Sequence, residues 1–174
     1  MTPAELTAEL QKPWRHGEHV DARDLVLEAP LRLDGMVVRG FDLSGAHLRA
    51  GLSARGTTFL GLAWLINARI DGTCDLSQAR FRIDLRAEGL ATDVLLLDHS
   101  EVRGVLALAR VHARRIALCN ALIMANLTLE NAAVAERIDL SGTEVMGGIW
   151  AAGARLGQIT AAHSEVHGRR SNWT

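Results

Sequence analysis

The residues of this 174-residue chain that could perform acid–base chemistry lie close together in one stretch of sequence. Asp98, His99 and Glu101 are near neighbours, and His112 follows them. A histidine beside a carboxylate can accept and release a proton near neutral pH. The alternative is an ordinary solvated corner, because Asp and His both occur often in turns. The sequence favours the corner and leaves a catalytic role for these four residues as a hypothesis.

The cysteines and the other histidines give no second chemical site. The histidine pairs lack a third ligand at a spacing typical of metal sites, so we predict no metal and no cofactor. Cys119 has no neighbouring base and is interpreted as an inert thiol. Cys74 and Cys119 fall on opposite sides of the strand pattern described below, so we predict no disulfide between them and a reducing, cytoplasmic location.

Bulk composition indicates a globular protein without a nucleic-acid or membrane partner. The chain is 48% hydrophobic and 22% charged, with a formal net charge of −1. This balance excludes a basic nucleic-acid binder and a strongly acidic mimic of DNA. No apolar run approaches the ~18 residues of a membrane helix. The first twelve residues carry acids and lack an apolar core, so we expect no signal peptide.

An eleven-residue repeat defines the elements that must position these residues. In the segment 138–147, apolar or small residues occupy offsets 0, 2, 5 and 7 from Ile138, and polar residues lie between them. Alternation of this kind predicts two short strands per unit, joined by a turn. Because one unit cannot bury its apolar side alone, the units must stack. The units begin near Val20, Leu31, Phe41, Leu52, Ala63, Cys74, Ile83, Leu95, Leu106, Ile116, Leu127, Ile138, Ile149 and Ile159.

Two units make one turn of about 21 residues, which predicts an all-β fold. We expect a quadrilateral parallel β-helix of about seven turns over residues 20–168. The spacing is short from Cys74 to Ile83 and long from Ile83 to Leu95. Glu88 then takes an inward position, so we predict a bulge there and an uncertain local register.

The sequence resembles the pentapeptide-repeat proteins. Phe41-Asp42-Leu43-Ser44-Gly45, followed by Ala46-His47-Leu48-Arg49-Ala50, matches the five-residue motif of that family. The resemblance covers roughly residues 20–168 and implies a right-handed, square β-helix used for protein interaction. The chain departs from the motif by about one extra residue per two faces. Topoisomerase protection by DNA mimicry, known in that family, needs an acidic surface that this chain lacks.

Both ends of the chain lie outside the repeat. Thr2-Pro3-Ala4-Glu5 is typical of a helix start with a capping box, so residues 1–19 are predicted as a capping helix and linker. Residues 169–174 form a short tail. Because an open solenoid end exposes strand edges, we predict that the C-terminal end is covered by a second copy. His163, His167 and Trp173 are the expected interface residues.

Outward apolar residues are the candidates for binding a ligand or partner. Leu96 and Leu122 are predicted to form an apolar patch with Ala117 and Met124, and Met146 follows at a corner. Trp64 and Trp150 are predicted on one face, about four turns or ~19 Å apart. The alternative is that a loop or the terminal helix covers the patch and that each tryptophan packs independently.

Three functions are consistent with these observations. The first is a non-catalytic β-helical binding or interaction protein that forms a homodimer through its C-terminal end. The second is a cofactor-free cyclase or isomerase of natural-product, polyketide-type biosynthesis that binds a hydrophobic substrate on the apolar patch. The third is a structural filament subunit that stacks end to end.

Overall fold

The computed structural model describes residues 1–172 and contains one short helix followed by parallel strands. Helix α1, Pro3–Leu10, begins with the predicted capping box. The Thr2 hydroxyl accepts a hydrogen bond from the Glu5 N–H at 3.2 Å, and the Glu5 carboxylate accepts one from the Thr2 N–H at 2.7 Å. No helix within residues 1–172 is long and apolar enough to cross a membrane.

The strands that follow are short, and most contain two residues. In chain order they are β1 (His19–Asp21), β2 (Val26–Leu27), β3 (Leu31–Arg32), β4 (Val37–Val38), β5 (Gly40–Asp42), β6 (His47–Leu48), β7 (Leu52–Ser53), β8 (Thr58–Phe59), β9 (Ala63–Trp64), β10 (Arg69–Asp75), β11 (Arg80–Phe81), β12 (Leu85–Arg86), β13 (Ala91–Leu96), β14 (Glu101–Val102), β15 (Leu106–Ala107), β16 (His112–Ala117), β17 (Leu122–Ile123), β18 (Leu127–Thr128), β19 (Ala133–Asp139), β20 (Glu144–Val145), β21 (Ile149–Trp150), β22 (Gln158–Thr160), β23 (Glu165–Val166) and β24 (Arg170–Ser171).

Stacking of these strands produces a four-faced solenoid. Face 1 is the sheet β1-β5-β9-β12-β15-β18-β21-β24, and face 4 is the sheet β4-β8-β11-β14-β17-β20-β23. Faces 2 and 3 belong to one sheet, because β10, β13, β16 and β19 run through the corner between them. Face 2 begins with β2 and β6, and face 3 begins with β3 and β7 and ends with β22. The predicted all-β solenoid of about seven turns is confirmed.

Strand pairing fixes the length of each coil, meaning one full turn of the solenoid. Paired residues on face 1 are 21 or 22 positions apart in the sequence. The first inward residues of the coils are Val20, Phe41, Ala63, Leu85, Leu106, Leu127 and Ile149. Three phenylalanines stack inside the early coils, with ring centroids 5.5 Å apart for Phe41 and Phe59 and 4.8 Å apart for Phe59 and Phe81.

The register predicted around Ile83 is wrong. Leu85, not Ile83, pairs with Ala63 and Leu106, so this unit begins two residues later than its alternation indicated. Ile83 lies on the preceding corner and is 38% exposed. Glu88 therefore occupies a turn position and not an inward one, and the buried residue at offset 5 is Leu90. No bulge is needed there. The two register shifts within the sheet lie instead at the face 2–face 3 corner, in β10 and β19.

The residue at the fifth position of every unit has the left-handed backbone conformation. The turn between the two strands of a unit requires positive φ, which Gly adopts freely and Asn or Asp adopts more easily than other residues. With the corrected register, these residues are Asp24, Gly35, Gly45, Gly56, Asn67, Gln78, Gly89, His99, Arg110, Asn120, Asn131, Gly142, Gly153 and His163.

The two ends of the solenoid differ. Helix α1 covers the N-terminal end, where Leu6 and Leu10 are fully buried in the core and the Arg39 N–H donates to the Leu10 carbonyl at 2.9 Å. At the C-terminal end, Ile159 and Val166 occupy core positions but are only partly buried. Within residues 1–172, no helix covers that end.

Candidate functional site

The four residues proposed for acid–base chemistry are divided between two parts of the surface. Asp98 and His99 form the turn between faces 3 and 4, and Glu101 lies next to them on β14. His112 lies on β16 at face 2, where it pairs with Ala91 and Ala133. The solenoid therefore does not bring His112 together with the other three.

Asp98 and His99 both have structural roles in this turn. The Asp98 carboxylate accepts the Cys119 N–H of the next coil at 2.8 Å, and Asp84 accepts the Val105 N–H in the same way at 2.7 Å. His99 is exposed and holds the left-handed position, with φ of 57°. Glu101 is bonded to Arg103 Nε at 3.0 Å. These contacts account for the residues as parts of a solenoid corner.

Cys119 lies between two carboxylates and is poorly suited to act as a nucleophile. Burial raises the pKa of the Cys119 thiol to about 11, and the charges of Asp98 and Asp139 add to this effect. The reactive thiolate is therefore scarce at neutral pH. Burial also raises the pKa of Cys74, which is fully enclosed, and both cysteines are free thiols.

The outward apolar residues lie on two adjacent faces. Leu96 and its neighbour Ala117 are half-buried on face 3, between Asp75 and Asp139. Leu122 is half-buried on face 4. Met124 and Met146 follow face 4 at its corner and are 50% and 45% exposed. The structure thus makes two small apolar surfaces, one on each side of the Cys119 turn.

Trp64 and Trp150 share one outward row on face 1, four strands apart. Both are half-buried. Arg86, Ala107 and Thr128 lie between them in the row, with Arg86 in the place where the predicted register put Asp84. Trp150 lies on face 1, whereas Leu96 lies on face 3 and Leu122 on face 4.

The C-terminal histidines lie near the open end of the solenoid. His163 holds a left-handed turn position, and His167 Nε2 lies 3.2 Å from the Glu144 carboxylate. Single ligand atoms of Glu144, Glu165 and His167 lie within 4.8 Å of one another, a grouping that sequence spacing did not reveal. It is shallow, because none of the three side chains is buried. Trp173, the third predicted interface residue, lies outside the described residues.

A groove runs along face 2 and its corner with face 3. We call it the corner groove; its volume is about 870 Å³. Its floor follows the outward row of face 2, in which the exposed His112 stands between the short side chains of Ala91 and Ala133. Arg69 and Arg155 continue this row on either side. The lining residues are Arg69, Ile70, Asp71, Gly72, Ala91, Thr92, Asp93, His112, Ala113, Arg114, Ala133, Val134, Ala135, Arg155 and Gly157.

Charged side chains form the walls of the corner groove. Asp71 accepts hydrogen bonds from Arg69 Nε and His47 Nε2, each at 2.8 Å. These bonds lower the pKa of the Asp71 carboxyl, the bond from Arg69 contributing most. Arg114 donates to Glu136 at 3.2 Å further toward the C-terminal end of the groove. The groove therefore combines an apolar floor with charged edges, as binding sites for amphipathic ligands do.

A second hollow extends the corner groove toward the N-terminal end. It has a volume of about 620 Å³ and shares Asp71 and Gly72 with the corner groove. Pro30, Arg49 and Ser53 are among its other lining residues. Together the two hollows follow one corner of the solenoid along most of its length, so the surface suits an elongated ligand.

Sequence reasoning missed the corner groove, although a signal was present. The outward row of face 2 contains small residues at Ala91 and Ala133, whereas the coils on either side place Arg69 and Arg155 in the row. Reading offset 6 of alternate units as one row would have found this gap. The misplaced unit at Ile83 hid it, because it removed Ala91 from the row.

No known protein family and no curated protein matches this chain. The fold is a parallel β-solenoid, and membership of the pentapeptide-repeat family stays a prediction.

Proposed function

We propose that this chain is a non-catalytic binding protein that holds an elongated ligand or partner segment in the corner groove. The observation that carries this proposal is the interrupted row of face 2, where Ala91 and Ala133 leave space on both sides of His112. On a solenoid, outward rows of side chains form the binding surfaces. The free thiols Cys74 and Cys119 support a reducing, cytoplasmic setting.

The structural roles of the polar residues support binding rather than catalysis. Asp98 and His99 are explained by the corner that they build. Cys119 is held mostly as the thiol, because its pKa is raised to about 11. His112 is the predicted catalytic candidate that lies in the groove, and it has room for a ligand beside it.

A ligand screen with groove-filling variants tests the proposal. Elongated amphiphilic molecules and short peptides are screened for an increase in melting temperature, because a ligand that prefers the folded state stabilises it. Ala133→Trp or Ala91→Trp fills the groove and should abolish the increase. Ala117→Trp introduces the same side chain on face 3 of β16 and should preserve it. If stabilising ligands act equally on all these variants, the groove is not the binding site.

A cofactor-free cyclase or isomerase is the second candidate, and the position of His112 favours it. An exposed imidazole above an apolar floor could transfer a proton to a bound hydrophobic substrate. In that case His112→Gln would remove turnover and leave ligand-induced stabilisation in place. Equal loss of binding and turnover would instead identify His112 as a contact residue.

We also propose that two copies associate through their C-terminal ends. The partly buried Ile159 and Val166 and the open edges of β22, β23 and β24 support this arrangement. A filament is less compatible with the fold, because helix α1 covers the N-terminal end that head-to-tail stacking would need. Sedimentation equilibrium should give a dimer that Val166→Asp converts to a monomer. A monomer in the native chain would refute the dimer, and open polymers would favour the filament.

A further inference from the structure

The charges of the corner groove are divided along its length. Asp71 and Asp93 lie toward the N-terminal half together with Arg69, which pairs with Asp71, and Arg114 and Arg155 lie toward the C-terminal half. Arg115 and Arg137 are paired neighbours on β16 and β19 beside that half. Glu136 lies 3.2 Å from Arg114 and 3.9 Å from Arg115, and Asp139 is the acid that interacts with Arg137. The basic half therefore has more positive charge than Glu136 and Asp139 balance.

Two charged side chains of the groove are free to meet a ligand. Asp71 is occupied by Arg69 and His47, and Arg114 is occupied by Glu136. Asp93 and Arg155 are both exposed, and neither forms an ion pair with another residue in the range 1–172. The Asp93 carboxylate is thus available in the N-terminal half of the groove, and the Arg155 guanidinium is available in its C-terminal half.

The separation of these two side chains matches a short extended peptide. Ala91, His112, Ala133 and Arg155 occupy the same row in four successive coils, and Asp93 follows Ala91 by two residues. Three coil steps correspond to ~14 Å along the solenoid axis, and the two residues from Ala91 to Asp93 add ~6.6 Å across it. An extended chain advances ~3.3 Å per residue, so side chains four residues apart span ~13 Å and point to one side, which matches the separation along the axis.

We infer that the corner groove binds an extended peptide segment carrying a basic and an acidic side chain four residues apart, the base at Asp93 and the acid at Arg155. This assignment rests on the proposed binding function and specifies its ligand class. The short side chains of Ala91 and Ala133 leave room for the peptide backbone, and the groove floor accepts an apolar residue at the centre. Charge complementarity at the two ends supplies the selectivity.

Three capped peptides test the assignment by fluorescence anisotropy at low salt. They are Lys-Ala-Val-Ala-Glu, Lys-Ala-Val-Ala-Lys and Glu-Ala-Val-Ala-Glu, each labelled through a flexible linker. The mixed-charge peptide should bind about five-fold more tightly than either like-charge peptide, as expected for one exposed ion pair. Arg155→Glu should make the Lys/Lys peptide the tightest ligand, and Asp93→Lys should do the same for the Glu/Glu peptide.

Matched variants on faces 4 and 1 control for net charge. Arg80→Glu on face 4 and Asp21→Lys on face 1 make the same charge changes away from the groove and should leave the order of the three peptides unchanged. An unchanged order in Arg155→Glu and Asp93→Lys, or no binding of any peptide, overturns the peptide assignment. If a screened small molecule still depends on Ala133 in that case, the proposed binding function stands and only its ligand class is wrong.

Discussion

The side-chain oxygen of an Asn in one left-handed turn lies against the Gly that holds the same position one coil later. Asn67 faces Gly89, Asn120 faces Gly142, and a Cβ on either glycine would overlap the Asn oxygen. Asn131 and Gly153 repeat this arrangement. At these three pairs, an Asn in one coil therefore requires a Gly at the same position in the next coil, because any Cβ there would overlap the Asn oxygen. This steric requirement adds to the positive φ that each turn needs.

Gly89→Ala should destabilise the protein more than Gly56→Ala. Both glycines have positive φ, of 71° and 64°, but no atom lies near a Cβ at Gly56. The φ cost alone is about 1 kcal/mol, and the overlap with Asn67 should add roughly 1–2 kcal/mol. Urea denaturation measures the loss of unfolding free energy in both variants. Asn67→Ala in the Gly89→Ala background should recover part of the difference, and equal costs at Gly56 and Gly89 would contradict the contact.

Asp139 gives the fold a defined pH dependence. The Ser141 hydroxyl and N–H donate to its carboxylate at 2.7 and 3.0 Å, and these bonds lower the pKa of Asp139, the hydroxyl contributing most. Folding therefore favours the ionised form. Its stabilisation is complete above the unfolded pKa of ~3.9 and is lost as pH falls through the lowered folded value.

Asp139→Asn should reduce the free energy of unfolding by about 1 kcal/mol at pH 7, because a charge-assisted bond becomes a neutral one. The difference from the native chain should shrink toward zero as pH falls through the lowered folded pKa of Asp139. Urea denaturation across this pH range measures it. Asp93→Asn, which removes an exposed carboxylate, serves as the control. If Asp139→Asn lowers the free energy of unfolding by the same amount at every pH, ionisation of Asp139 is not coupled to folding.

At the scale of elements, no strand is stable by itself. Most strands have two residues, so each gains its stability from the strands above and below it and from the inward side chains of adjacent coils. The Phe59 ring illustrates this dependence, because it packs on Phe41 in one contact and on Phe81 in another. Loss of one such ring affects neighbouring coils as well as its own.

Phe59→Ala should destabilise the protein by about 3–5 kcal/mol, through lost burial and the cavity left between the two other rings. Phe59→Leu fills most of the cavity and should cost much less. Thermal and urea unfolding compare the variants. Hydrogen exchange should show increased opening at β8 and β11 first, and a change confined to β8 would contradict coupling between coils.

The fold was predictable from sequence because inward residues repeat at offsets 0, 2, 5 and 7. The prediction failed at Ile83, where Ile83, Asp84 and Leu85 imitate the apolar–polar–apolar start of a unit. The three-dimensional register instead begins at Leu85, which keeps Glu88 out of the core. Local alternation cannot distinguish a unit that begins at Ile83 from one that begins at Leu85. The pairing of Leu85 with Ala63 and Leu106 in neighbouring strands does distinguish them.

The candidate site was less predictable than the fold. His112 was selected for its chemistry, but the groove around it depends on the lengths of Ala91 and Ala133, which lie a whole coil away in sequence. Conversely, Asp98 and His99 were candidates for acid–base catalysis because turns contain the same residue types as active sites. Only the contacts of each side chain separate the two roles.

For the whole molecule, the N-terminal end is closed by several independent contacts. Arg39 lies 3.5 Å from Glu9 of helix α1 and 3.7 Å from Glu18 of the linker. Trp14 packs against Gly61, where any larger side chain would meet its indole. The helix is therefore attached to the solenoid by its apolar face, its carbonyl end and the linker after it.

Leu10→Asp should detach helix α1 and expose the edges of the first coil. A buried unpaired charge costs several kcal/mol, so the variant should lose stability and form larger species through the freed strand edges. Light scattering and size-exclusion chromatography measure this. Glu9→Ala, which removes the ion pairs of Glu9 with Lys12 and Arg39 on the same helix, should change stability by only about 1 kcal/mol. A monodisperse Leu10→Asp protein would show that the cap does not protect the edges.

Coil length varies between 21 and 22 residues only at the corners, since each unit keeps eight residues from its first inward position to its last. A single insertion within such a segment would turn its later side chains from core to solvent, whereas a corner can absorb one residue. Duplication of a complete coil preserves every register. The chain can therefore lengthen in evolution or by design in steps of one coil, and a duplicated coil with a short side chain in the outward row of face 2 would extend the corner groove by ~4.8 Å.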